Sequence, residues 1–193
     1  MLDNLKKYDI ILASNSPRRR ELLKGLGLNF KAETLVDIDE TYPDNLKGGE
    51  IPAYISKQKS NSYKEFLNDN TLLITADTIV WLDDKQFGKP IDAEDAKRML
   101  KQLSGNTHMV YTGVTILTKE KEKTFVSASE VKFANLSNDE IDFYVNNFSP
   151  MDKAGAYGIQ EWIGYIGVEA INGSYFNVMG LPIQRLYSEL KEF

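Results

Sequence analysis

The chain has 193 residues, a formal net charge of −5 and no cysteine. A chain of that length buries roughly two-thirds to three-quarters of its unfolded surface, so one domain over residues 1–193 needs no covalent or metal staple. The missing cysteines exclude a disulfide framework, a Cys-ligated zinc or iron–sulfur centre and a Cys nucleophile. The acidic balance argues against a general nucleic-acid binder, and an anionic ligand has to be held by a local basic patch. The opening Met-Leu-Asp-Asn-Leu-Lys-Lys-Tyr-Asp is not a secretory signal, and no stretch reaches the roughly 18 apolar residues of a bilayer span. The expected setting is the cytoplasm.

Strand and helix alternate along the chain. Tyr8–Ser14 reads as a short apolar strand, and Ser16-Pro17 then cap and open a helix that Gly25 and Gly27 end. Phe30–Val36 reads as a second strand. Pro52–Leu67 reads as a helix with Tyr54, Ile55, Tyr63, Phe66 and Leu67 supplying part of its apolar face. The run Thr71–Leu82 has the composition of a buried central strand, and Asp83-Asp84-Lys85 turns into a short return strand. Asp92 caps a helix through Leu103. Thr107–Thr118 and Thr124–Phe133 form a hairpin. Ser137-Asn-Asp-Glu140 is a capping box for a helix through Asn147. Ala154–Gly180, rich in Gly and aromatics, reads as loop and strand, and Leu181–Phe193 as a closing helix. The hairpin makes this an α/β fold with a mixed, not purely parallel, sheet flanked by helices.

Five groups of residues can carry chemistry. Ser14-Asn15-Ser16-Pro17-Arg18-Arg19-Arg20 lies where a strand feeds a helix N-terminus. Unpaired N–H groups and the helix dipole attract phosphate there. Three arginines in one turn repel one another and oppose that dipole, a cost that a bound anion offsets; otherwise they are a cap and a solvated face. Asp77 sits inside the apolar run Leu72–Leu82. A buried carboxylate serves as general base, as metal ligand or as a hydrogen-bonded structural group. Gly88-Lys89-Pro90 offers a point charge for phosphate, or is only a turn. Asp37, Asp39 and Glu40 can hold Mg²⁺ or decorate a solvated loop. Asp152–Gln160 has the small residues that let a backbone approach a ligand, and the amide of Gln160 can pair with a base edge. The single histidine, His108, falls in a strand with no partner in view and reads as structural. Lys57 and Lys59 read as helix surface.

Taken together these segments resemble the Maf family of nucleotide pyrophosphatases. The matching stretches are LASNSPRRRELL at Leu12–Leu23, Asp39-Glu40, Lys59, ADTIV at Ala76–Val80, Gly88-Lys89-Pro90, Leu103-Ser104-Gly105, KAGAYGIQ at Lys153–Gln160 and INGSYFNVMGLP at Ile171–Pro182. The resemblance implies an inosine-triphosphatase-like fold of two lobes around a cleft, and metal-dependent (Mg²⁺ or Mn²⁺) hydrolysis between the α- and β-phosphates. It makes Asp77 the proton acceptor and Ser14, Arg18, Glu40, Lys59 and Lys89 the polar residues of the site. Glu40 and Asp77 would hold the metal, and Arg18, Thr78 and Gln160 would govern substrate choice. The KAGAYGIQ form is similar to the branch acting on dTTP and UTP, with modified pyrimidines as further candidates. Asn15, Trp162 and Tyr165 depart from the common pattern, which touches selectivity more than the reaction. Rival readings are a purine or modified-nucleotide pyrophosphatase and a non-catalytic nucleotide sensor in cell division. No Gly-x-x-x-x-Gly-Lys-Ser/Thr loop supports a kinase. The expected partner is the nucleoside triphosphate alone, with no nucleic acid or membrane. A homodimer is one assembly the sequence allows.

Overall fold

The computed structural model describes residues 2–34 and 38–193. Asp37 of the acidic group, and the far end of the strand expected over 30–36, lie outside the described residues. The strands are β1 (Asp9–Leu12), β2 (Lys31–Ala32), β3 (Thr71–Leu82), β4 (Lys85–Phe87), β5 (Thr107–Leu117), β6 (Glu122–Phe133) and β7 (Val168–Asn172). They form one sheet in the order β2-β1-β3-β5-β6-β7, with β4 on β3. β1 runs parallel to β2 and β3, whereas β4 on β3 and β7 on β6 are antiparallel. The mixed sheet expected from the hairpin is therefore present. The helices are α1 (Pro17–Lys24), α2 (Glu50–Asn61), α3 (Ala93–Leu103), α4 (Asn138–Phe148), α5 (Trp162–Gly167), α6 (Tyr175–Val178) and α7 (Ile183–Leu190). Among the described residues no helix is long and apolar enough to cross a membrane.

The chain divides into two compact units. The first comprises Met1–Asp77, Thr112–Ser127 and Gly180–Phe193, and the second Thr78–Tyr111 and Ala128–Met179. In the first, α2 is docked by small and hydroxylated residues. A Cβ at Gly113 on β5 would stand 2.2 Å from the carbonyl oxygen of Pro52, so only glycine admits the helix at that height. Thr75 Oγ1 donates to the Ser56 carbonyl at 2.7 Å. Ser56 Oγ lies 3.1 Å from Thr115 Oγ1, which lies 2.9 Å from Thr124 Oγ1. Each satisfied buried hydrogen bond of this kind contributes about 1 kcal/mol. The buried face of α2 is thus Ile51, Pro52, Ile55, Ser56 and Ser60. Of the residues expected on the apolar face, Ile55 and Tyr63 are buried, whereas Tyr54 and Phe66 are exposed, and the helix ends at Asn61 before a 3-10 turn at Lys64–Phe66.

The second unit has a conventional apolar core. Leu100 and Leu103 of α3, Val131 and Phe133 of β6, and Ile141 and Tyr144 of α4 are all buried in one cluster. Burying each large side chain contributes on the order of 1.5–3 kcal/mol. Its helices start where the sequence indicates. Asp92 accepts from the Asp95 N–H, and Ser137 and Glu140 form both halves of the capping box. After Gln160 the stretch read as loop and strand does contain a strand, β7, but α5 and α6 occupy the parts on either side of it. A Cβ at Gly164 would sit 1.8 Å from the Ile159 carbonyl oxygen, so the glycine is what allows that turn to fold back on itself.

The Gly113 contact makes a direct prediction. Gly113→Ala must push α2 off the sheet and should destabilise the protein by about 1–3 kcal/mol, the usual cost of overpacking. Urea denaturation measures it, and an unchanged midpoint would show that the helix does not rest on this glycine.

Candidate active site

In the first unit, β1 ends at Leu12 and the chain passes through buried Ser14 into α1. Ser14 Oγ accepts the Ser16 N–H at 3.2 Å, and Ser16 Oγ caps the helix through the Arg19 N–H. The three arginines that follow have separate roles. Arg19 donates from Nε to the Gly180 carbonyl at 2.8 Å and from Nη1 to the Ala76 carbonyl at 3.0 Å. Burial lowers its pKa, Asp77 and Glu40 pull the value upward, and Arg18 lowers it further. Arg20 reaches the Ser14 carbonyl and Asn15 Oδ1. Arg18 is half-buried in the first turn. The triplet expected to face one anion is therefore divided, and two of its members support backbone carbonyls.

Arg19 grips the carbonyl immediately before Asp77. On the other side, α2 delivers Lys59, whose Nζ lies 2.9 Å from Asp77 Oδ1 and 2.9 Å from Glu40 Oε1. The side chains of Lys59 and Asp77 are each only 13% exposed, against 52% for Glu40. Two unit charges about 4 Å apart attract by about 4 kcal/mol at an effective dielectric near 20, before desolvation is subtracted. Asp39 does not join this cluster. Its carboxylate accepts from the Thr41 N–H and hydroxyl, bonds that lower its pKa and fix the turn bearing Glu40. Lys59, which by itself reads as helix surface and by the resemblance as a polar residue of the site, lies at the centre of the cluster.

A divalent cation fits these residues. Asp77 Oδ1 and Glu40 Oε1 already converge on one positive charge, and Mg²⁺ is typically held by one or two carboxylates with water completing its octahedron. Among the described residues no group of three or more His, Cys, Asp or Glu is assembled for a metal, so water and substrate oxygens would supply the remaining positions.

Thr78, Lys89 and Gln160 belong to the second unit. Thr78 is half-buried on β3, and Lys89 is exposed just beyond β4. The Gly88 carbonyl accepts the Gly155 N–H at 3.0 Å, so the Gly-Lys-Pro turn is tied to the KAGAYGIQ segment. Gly155 (φ +68°) and fully buried Ala156 (φ +58°) are consecutive left-handed residues, and a Cβ at 155 would meet Val80 at 2.9 Å. Tyr157 OH lies 2.8 Å from His108 Nε2, and the rings of His108, Phe133 and Tyr157 meet edge to face. His108 thus has the partner that the sequence did not reveal. Gln160 Oε1 is buried and has no hydrogen-bond partner.

With this geometry in place, the comparisons decide the family. The model of the Maf-like proteins matches residues 9–193. The chain belongs to the Maf-like protein family. A Bacteroides thetaiotaomicron protein named dTTP/UTP pyrophosphatase is 59% identical over 192 residues, with 100% of each chain covered. A Porphyromonas gingivalis (strain W83) protein of the same name is 52% identical over 195 residues, covering 100% of this chain and 98% of its own. Among solved structures, the Staphylococcus aureus Ham1 protein matches with a TM-score of 0.55 at 17% identity, over 94% of this chain and 99% of that one. A Coxiella burnetii HAM1 protein matches at 0.50 and 15%, over 96% and 100%. These two likenesses establish that the Maf-like chain shares the mixed α/β fold of Ham1 proteins.

The buried histidine sets an acid limit. Desolvation lowers the His108 pKa from 6.5 to about 4. Above pH 6.5 both folded and unfolded states hold it neutral, so its contribution to stability is full there. Between pH 6.5 and about 4 only the unfolded chain takes up the proton, and stability falls by about 1.4 kcal/mol per pH unit. His108→Gln should flatten this limb in denaturation curves measured from pH 7 to pH 4. A limb of unchanged slope would assign the acid sensitivity to other groups.

Proposed function

We infer that this chain hydrolyses nucleoside triphosphates, dTTP and UTP foremost, to the monophosphate and pyrophosphate. The observation that carries the reading is the Asp77 carboxylate, held in the interior of a strand between the Lys59 ammonium and the Arg19-bound carbonyl of Ala76. The full-length relatives that carry the name dTTP/UTP pyrophosphatase support it independently.

In this reading Asp77 takes a proton from water as the water oxygen attacks the α-phosphorus. The bond from that phosphorus to the bridging oxygen breaks, and pyrophosphate leaves with the electron pair. Arg18, Lys59 and Lys89 supply positive charge to a tail of about four negative charges, and Ser14 offers a hydroxyl proton. Glu40 and Asp77 would hold a divalent cation, Mg²⁺ or Mn²⁺, which when bound neutralises phosphate charge and polarises the scissile centre. Thr78 and Gln160 serve substrate choice. The buried, unpartnered Oε1 of Gln160 is an acceptor in want of a donor, which the N3–H of uracil or thymine supplies; cytosine presents an unprotonated N3 beside a 4-amino donor, a different pattern on that edge. A site that would otherwise leave such a group unpaired discriminates strongly. Action in the cytoplasm, beside the nucleotide pool, belongs to the same proposal.

The test is pyrophosphate release from a panel of nucleoside triphosphates with Mg²⁺, Mn²⁺ or EDTA. Cleavage should favour dTTP and UTP and stop in EDTA. Asp77→Asn should lower kcat by at least about 10²-fold, the scale of a positioned acid–base group. Turnover close to wild type in Asp77→Asn would remove Asp77 from the reaction, and a purine preference would overturn the role of Gln160.

A further inference from the structure

The residue that follows Gln160 has no role in the proposed reaction. Glu161 is half-buried, and its carboxylate is the hub of a small polar network in the second unit. Glu161 Oε1 lies 3.1 Å from Nζ of Lys153, a lysine only 7% exposed whose ammonium also meets Asp152 Oδ1 at 2.7 Å. Glu161 Oε2 accepts the hydroxyl of Tyr144, a fully buried residue of α4. The same Tyr144 oxygen accepts the Gly158 N–H at 3.0 Å. A Cβ on Gly158 would stand 2.7–3.0 Å from the atoms of the Glu161 carboxylate, so that glycine is what lets the carboxylate fold back over the segment. Lys153, Glu161, Tyr144 and Gly158 therefore join both ends and the middle of residues 153–161 into a clamp. Burial and the adjacent carboxylate raise the Tyr144 pKa, which keeps its hydroxyl a donor.

A buried ion pair of this kind is poor value as a source of folding energy. Well-packed apolar residues commonly do as well or better, and the attested use of such pairs is to specify one conformation. What the conformation here presents is the Gln160 side chain, whose Oε1 is buried without a partner. An unmade hydrogen bond on a buried acceptor is costly, and a mobile chain would relieve that cost by turning the amide to water. Fixing the backbone on both sides of Gln160 prevents this.

We propose that Glu161 is a positioning residue: its clamp with Lys153 and Tyr144 holds the Gln160 amide in its ligand-ready orientation and thereby sets discrimination between bases. The proposal rests on the reading of Gln160 as the base-recognising group. Glu161 touches no reacting atom, so its loss acts on KM and base choice and only weakly on kcat.

Glu161→Gln keeps the size of the side chain and removes its charge; Tyr144→Phe removes one hydroxyl and serves in its place if Glu161→Gln fails to fold in thermal melts. In either variant the ratio of kcat/KM for UTP over CTP should fall by about 10-fold or more, with most of the change in KM, the scale of one misplaced hydrogen bond. The Gln160 side-chain amide, followed by ¹⁵N relaxation, should pass from rigid to an order parameter below about 0.6. A lowered melting temperature with both the base ratio and the amide order unchanged would overturn the proposal and leave the clamp as fold support. Gln160→Ala is the reference. If it leaves the base ratio unchanged, the base-reading role fails on its own account. The amide order in Glu161→Gln then decides the positioning claim: release supports it and continued rigidity overturns it.

Discussion

A carboxylate in the interior of an apolar strand persists only if cations are brought to it, and much of the first unit is arranged to bring them to Asp77. α2 is seated close enough to the sheet for Lys59 to reach both Asp77 and Glu40. Arg19 secures the preceding peptide, and Asp39 fixes the turn from which Glu40 extends. None of these interactions is worth much alone once desolvation is counted. Their combined effect is to hold two negative groups around one position at which positive charge is stable.

The two units solve the problem of burial differently. The first docks α2 with glycine and hydroxyls, giving close approach and directional bonds where an apolar interface would have kept the helix further out. The second packs large side chains into a core and adds polar anchors along residues 153–161 and at buried Asn177, whose Nδ2 donates to the Val110 carbonyl and lies 3.0 Å from Ser129 Oγ. The consecutive left-handed pair Gly155–Ala156 fits the same pattern, since a non-glycine residue at positive φ survives only where its surroundings over-determine it.

Much of this was legible in the sequence. The strand Thr71–Leu82, the Asp83-Asp84 turn, the Asp92 cap and the Ser137–Glu140 capping box were all signalled by local composition, and each is realised. Asp77 stood out because a charge in an apolar run demands an explanation. Features set by tertiary contact were not legible. Ser56 and Ser60 carry no apolar signal, so composition indicates Ile55 on the buried face of α2 and misses the two serines. Nothing local tells Arg19 from Arg18 and Arg20, because the carbonyls it grips are 57 and 161 residues away. The short helices α5 and α6 were hidden by their glycines and aromatics. Tyr144 and Glu161 escaped notice because the network joining them spans three elements, although a carboxylate next to the expected base-reading amide was a signal that could have been followed.

The contact between His108 and Tyr157 also has a spectroscopic consequence. The chain contains one histidine. No second histidine contributes imidazole protons to a proton spectrum, and the two carbon-bound ring protons of His108 are displaced by the ring currents of Phe133 and Tyr157, whose centroids lie 5.1 and 5.5 Å away. A single imidazole thus serves as a built-in label for the segment around Tyr157, which can be watched in solution without altering a residue.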